Sequence, residues 1–116
     1  MVRKREEVLF EKKPGPFDGL GEITVRSLLN GEKEMYSKGR VFAHTTVHPG
    51  AAIGYHVHQN ESETYYILSG VGSFNDNGTM RTVTAGNVTF TGAGEGHGIT
   101  NESDVPLEMI ALILYQ

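Results

Sequence analysis

Fifteen glycines among 116 residues break this chain into short stretches, and no segment carries the 3.6-residue apolar period of an amphipathic helix. What the stretches carry is alternation. Glu22 to Leu29 reads EITVRSLL and Arg40 to His48 reads RVFAHTTVH, each bounded by glycine or proline. In the second, Val41, Ala43, Thr45 and Val47 share one face and Phe42, His44, Thr46 and His48 the other, so the first set is the interior candidate. Strands are also predicted at Glu63 to Ser69, Val71 to Asn75, Thr79 to Thr84, Gly86 to Thr91 and Pro106 to Tyr115. Asn75, Asp76, Asn77 and Gly78 supply a hairpin turn of residues that tolerate positive φ. Lys12 to Gly21, with Pro14, Pro16 and three glycines, reads as a loop. Short strands at this spacing predict an all-β sandwich or barrel. At 116 residues the expectation is one domain, 1–116, with its core in 39–115 and an N-terminal strand segment in 1–30.

Against that background four side chains stand out: His56, His58, Glu63 and His97. His56 and His58 are two apart, so on a strand both imidazoles leave the same face. Packing explains such a pair poorly, because each ring needs partners for both nitrogens. A metal ion explains it. Glu63 follows a short polar loop, Gln59 to Ser62, where the chain can reverse, and Glu63, Tyr65 and Ile67 then share the inward face. His97, after the TGAGEG segment, completes the set from another strand. Three imidazoles and one carboxylate, without thiolate, suit one divalent transition metal: Mn, Fe, Co, Ni, Cu or Zn. In an octahedral arrangement two positions stay open for a substrate oxygen or dioxygen.

The glycines around these residues complete two motifs. The first is GAAIGYHVHQNESETYYILSG, with Gly50, His56, His58, Glu63 and Gly70 at its defining positions; the second is GNVTFTGAGEGHGITN, with Gly86, Gly94, His97 and Asn101. Glycine is about 7% of average composition, so nine agreeing positions are not a chance event. The chain strongly resembles the cupin superfamily, in its small single-domain, metal-binding form. The resemblance implies a double-stranded β-helix, or jelly-roll barrel, with His56, His58, Glu63 and His97 as metal ligands. It also implies a small-molecule substrate or ligand and a homodimer, with Val8 to Phe10 as a strand that neighbouring barrels could exchange. One position departs from the family: Gly92 stands where proline is usual, which loosens a turn before His97 and removes no ligand.

The expected function is that of a metal-dependent enzyme acting on a small molecule that chelates the metal. Oxidoreductase chemistry of the dioxygenase type is favoured, because two open positions can hold substrate and oxygen together. Isomerisation and decarboxylation remain open, as does a non-catalytic cupin that binds or senses its ligand. Tyr65 and Glu95 are the candidate catalytic residues, a phenol donor and a proton carrier. Glu61 is an alternative carrier, and Asn101 is expected to hold a strand end. By parity, Ala43, Thr45, Val47, Phe90 or Val88, Ile99, Met109, Ala111 and Ile113 face the cavity. That wall is nearly all apolar and has no clear arginine among Arg26, Arg40 and Arg81, which speaks mildly against a specialist for oxalate or a phosphosugar.

Composition narrows the rest. With no cysteine, disulfides, thiolate-bound zinc and a thiol nucleophile are excluded. The charge of −4 with interspersed signs and no basic stripe argues against nucleic acid. No apolar run of membrane length occurs, and the charged start MVRKREEVLFEKKP makes a cytoplasmic location the expectation. His44 and His48 fall on the face opposite Val41 and Val47 and are expected to be exposed or at an interface.

Overall fold

The computed structural model describes residues 1–116. Its strands are β1 (Phe10–Pro14), β2 (Glu22–Ser27), β3 (Gly39–Val47), β4 (Ala52–Val57), β5 (Glu61–Ser69), β6 (Val71–Asp76), β7 (Thr79–Thr84), β8 (Val88–Thr91), β9 (Gly96–Thr100) and β10 (Leu107–Tyr115). Six form one sheet in the order β1-β2-β3-β10-β5-β8, and four form the other in the order β4-β9-β6-β7. Helix is confined to a turn at Arg5–Glu7 and to α1, Gly31–Glu34. The architecture is all-β, as the alternation predicts.

Strand β10 shows how alternation becomes a core. Leu107, Met109, Ala111 and Ile113 are buried and point between the sheets, where they join Val47, Tyr65, Ile67, Phe74 and Ile99. Full burial of side chains such as Leu107 and Ile67 stabilises by about 1.5–3 kcal/mol each. Because β10 lies between β3 and β5, every second residue also lands on the outer face, where Ile110 and Leu112 are half-buried. Its apolar run therefore serves two surfaces. The β6–β7 hairpin closes as expected, with φ of 49° at Asn77 and 101° at Gly78.

Several expectations need correction. The N-terminal strand is Phe10–Pro14 rather than Val8 to Phe10, and it pairs with the chain's own β2, so Lys12 to Pro14 are strand and not loop. The second strand stops at Ser27, and β4 ends at Val57, leaving His58 just past it. Val88 and Phe90 face outward and are exposed, while Thr89 and Thr91 turn inward. On so short a strand, alternation alone does not say which set is buried. His44 and His48 are half-buried: the Nε2 of His44 is 2.7 Å from Glu108 Oε2, and that of His48 is 2.8 Å from Thr24 Oγ1. Asn101 does hold a strand end, since its buried Nδ2 donates to the carbonyls of Val47 and Val105.

Candidate metal centre

The four residues arrive from three strand ends. Across β4 and β9, His56 pairs directly with His97, after a bulge between Ile53 and His56 in which Gly54 and Tyr55 together face Gly98, one residue in excess. The insertion keeps both Ile53 and His56 facing inward. His58 follows two residues later on the same side, and Glu63 enters from β5, opposite Thr91 of β8. One donor atom from each of His56, His58, Glu63 and His97 lies within 4.8 Å of all the others. His58, Glu63 and His97 are buried, and His56 is half-buried at the rim.

The outer nitrogens settle which way the rings face. His56 Nδ1 donates to the Gly54 carbonyl at 2.8 Å, and His58 Nδ1 donates to Glu61 Oε1 at 2.9 Å. His97 Nδ1 lies 3.0 Å from Thr91 Oγ1. With each Nδ1 holding the ring proton, three Nε2 lone pairs point at one another, His58 to His97 at 3.1 Å and His97 to His56 at 3.2 Å. Glu63 Oε1 adds a fourth electron-rich atom, 3.0 Å from His58 Nε2 and 2.9 Å from His97 Nε2. Lone pairs so close repel unless positive charge sits among them. A proton can serve one pair at a time, whereas a cation serves all four. The donor set thus fits a divalent transition metal, and His56, His58, Glu63 and His97 could hold one.

Electrostatics of the chain alone show the same tension. Burial pushes the Glu63 carboxyl up, but in the chain without metal a proton shared between it and the facing Nε2 atoms of His58 and His97 outweighs burial and holds it at about 2. His58 is raised, chiefly by Glu63, whereas His56 is lowered, chiefly by burial. Arg40 grips Glu61 through two hydrogen bonds of 2.8 and 2.7 Å and brings that carboxyl to about 2. Arg40, Glu61 and His58 therefore form a chain that orients the second imidazole. Tyr65, fully buried, stacks on His97 with ring centroids 5.0 Å apart. Burial first, and then Glu63 nearby, push its phenol well above the usual range, so it stays protonated.

The structure brings the Tyr65 side chain to the cluster but directs the Glu95 carboxylate elsewhere, although the Glu95 carbonyl accepts the His58 backbone N–H at 3.0 Å. Glu95 is exposed and its Oε1 accepts the Gly92 backbone N–H at 2.8 Å. That contact gives the Gly92 departure a role, because the proline usual there has no N–H to donate. Above the cluster opens a cavity of about 210 Å³ that His56, His58, Glu63 and Tyr65 line together with Lys13, Arg40, Thr45 and Met109. Ala111 and Ile113 reach it as expected. Its wall is not as apolar as parity implied, since Lys13 and Arg40 both reach it. Lys13 was hidden in a charged terminus that reads as solvated. Its visibility depends on β1 being a strand, which turns Lys13 to the opposite face from Lys12. Thr91 reaches the site because β8 turns Thr89 and Thr91 inward in place of the apolar Val88 and Phe90, which alternation alone favours for the interior.

The family profile described as Cupin domain matches residues 43–113. An oxalate-binding protein of Thermotoga maritima is 40% identical over 114 residues, covering 98% of this chain and 93% of that protein. A crystal structure of a predicted oxalate decarboxylase from Thermotoga maritima superposes with a TM-score of 0.93 at 39% identity, covering 100% of both chains. A more distant structure, an RmlC-like cupin from Shewanella frigidimarina, shares the fold at a TM-score of 0.75 and 18% identity, over 97% of this chain and 88% of that one.

Proposed function

The chain belongs to the cupin family, and from that premise we propose that it is a metal-dependent protein that binds a small carboxylate such as oxalate. His56, His58, Glu63 and His97 would hold the metal, which when bound supplies a Lewis acid for carboxylate oxygens. The observation that carries the reading is the joint presence of Lys13 and Arg40 on the cavity that opens over the cluster. A ligand touching the cluster with one carboxylate would turn the other toward Lys13. Both cations have a carboxylate beside them: Glu61 holds Arg40 in two hydrogen bonds, which leaves it mainly shape and hydrogen bonding to offer, whereas Glu11 Oε1 lies 3.5 Å from Lys13 Nζ in a looser, exposed pair that a ligand carboxylate can displace. A cavity of about 210 Å³ suits a ligand of few atoms. With Lys13 and Arg40 on the wall, the lack of an inward cation no longer speaks against oxalate. Titration calorimetry of manganese-loaded protein with oxalate tests it: binding at a Kd on the order of micromolar or tighter is expected, and absent from the metal-free protein. No heat with either form would sink the proposal.

Turnover of the bound carboxylate is the second reading, favoured by the protonated phenol of Tyr65 against His97. Decarboxylation, isomerisation and dioxygenation all fall within it. Incubation of loaded protein with oxalate, followed by assay for carbon dioxide and formate, separates turnover from binding. Tyr65→Phe would abolish turnover while sparing affinity for the ligand.

A second copy of the chain is the proposed partner. On the outer face of the six-stranded sheet, registered rows place Phe42, Leu112, Thr64 and Phe90 side by side, and His44, Ile110, Tyr66 and Val88 beside them. Such a contiguous and largely apolar face fits a self-complementary contact about a two-fold axis.

A further inference from the structure

The segment Pro14 to Gly21 brings Pro16 and Phe17 to the wall of the cavity and is fastened to β4 by main-chain bonds. Gly54 N donates to the Pro16 carbonyl at 2.9 Å, Leu20 N to that of Ala52 at 3.2 Å, and Ala52 N to that of Leu20 at 2.8 Å. The fit leaves no room for side chains. A Cβ on Gly54 would collide with the Phe17 carbonyl, and one on Gly19 with that of Ala52. Gly19 N also donates to Pro16, closing a tight turn whose central residues, Phe17 and Asp18, have φ of 56° and 57°. Both central positions of such a turn normally go to Asn, Asp or Gly. A phenylalanine there is strained, and the strain has a visible result. The Phe17 ring lies flat on His56, with centroids 3.8 Å apart and planes within 11°.

Phe17 as a residue is also more than half exposed, so burial does not account for its position. It lines the cavity beside Pro16 and Lys13, over the one ligand-set histidine that reaches the rim. We propose that Phe17 sets the size of ligand admitted to the metal centre: the fastened turn holds its ring as a fixed wall, and removing it admits longer ligands. This rests on the metal centre proposed above and adds the range of dicarboxylates it takes. It makes Phe17 a determinant of specificity rather than of metal affinity. A structural role for the ring, steadying His56, would have the opposite signature.

The test uses cobalt-loaded full-length protein, with cobalt absorption as readout, titrated with oxalate, malonate, succinate and, independently of carboxylates, imidazole and 4-phenylimidazole. The wild type is expected to prefer oxalate to succinate, and imidazole to 4-phenylimidazole. In Phe17→Ala and in Phe17→Gly, which suits the left-handed backbone, both preferences fall by about tenfold or more while cobalt affinity stays within about threefold. Unchanged preferences overturn the proposal, as does a loss of cobalt affinity that accounts for the whole effect. If carboxylates fail to bind while imidazole binds, the carboxylate reading falls and the imidazole pair still decides the wall. A wild type that takes up no cobalt overturns the metal centre and this proposal with it.

Discussion

Thr91 Oγ1 lies 3.0 Å from His97 Nδ1, and both residues are buried. The hydroxyl accepts the ring proton and so keeps the His97 Nε2 lone pair directed at the other donors. Thr91→Val preserves volume and removes only the acceptor. Metal affinity is expected to fall by about 10–100-fold, measured by competition with a chromophoric chelator. Affinity equal to wild type would mean that packing from Tyr65 and Phe74 alone orients the ring.

On the alkaline side of the His58 transition, the pH dependence of stability has opposite signs with and without metal. In the metal-free chain Glu61 and Glu63 ionise at about 2, below the ordinary 4.5. Their contribution is present above 4.5 and is lost as pH falls toward about 2. His58 is raised above 6.5, so its contribution is present below 6.5 and is lost as pH rises through its folded value. His56 is lowered, so its contribution is gained as pH rises from its folded value through 6.5 and is nearly complete about one unit higher, opposite in sign to that of His58. Bound metal displaces the protons, and its stabilisation grows with pH. Calorimetry is therefore expected to show Tm of the metal-free protein falling as pH rises past 6.5 through the folded value of His58, once the opposing gain from His56 is complete, with the increment from manganese widening over the same interval. An increment that narrows contradicts the assignment of these histidines.

Lys13 separates metal binding from ligand binding. Lys13→Met keeps most of the side-chain length and removes the charge from the cavity. Oxalate affinity of the loaded protein is expected to drop by about 10–100-fold, the range for a charge-assisted hydrogen bond, with metal content unchanged. Equal oxalate affinity would place the ligand elsewhere.

Much of this site is legible in the sequence, and the part that is not has a physical reason. His56, His58, Glu63 and His97 are found from spacing because strand parity and a polar reversal are local properties. The inward facing of Tyr65 and Ile67 follows in the same way. Thr91, Lys13 and Phe17 depend instead on register between strands distant in the chain and on a turn with strained φ. Alternation in four residues, Val88 to Thr91, fits either face until β8 is seen to pair with β5. Lys13 looks solvated until β1 pairs with β2.

The outer sheet face carries a prediction about assembly. Tyr66 is exposed and sits between Ile110 and Val88 in register. Sedimentation at micromolar concentration is expected to give a dimer for the wild type and a monomer for Tyr66→Arg, because an unpaired charge at the centre of an apolar contact costs several kcal/mol. A wild-type monomer contradicts the proposed second copy without touching the metal centre.

The central claim is that four side chains converge to hold one metal ion. Elemental analysis of protein purified without chelator or nickel resin measures this directly. About one transition-metal ion per chain is expected, lost in His58→Ala together with the metal-dependent part of the thermal stability. Less than about half an ion per chain, with His58→Ala as stable as the wild type, would contradict the account.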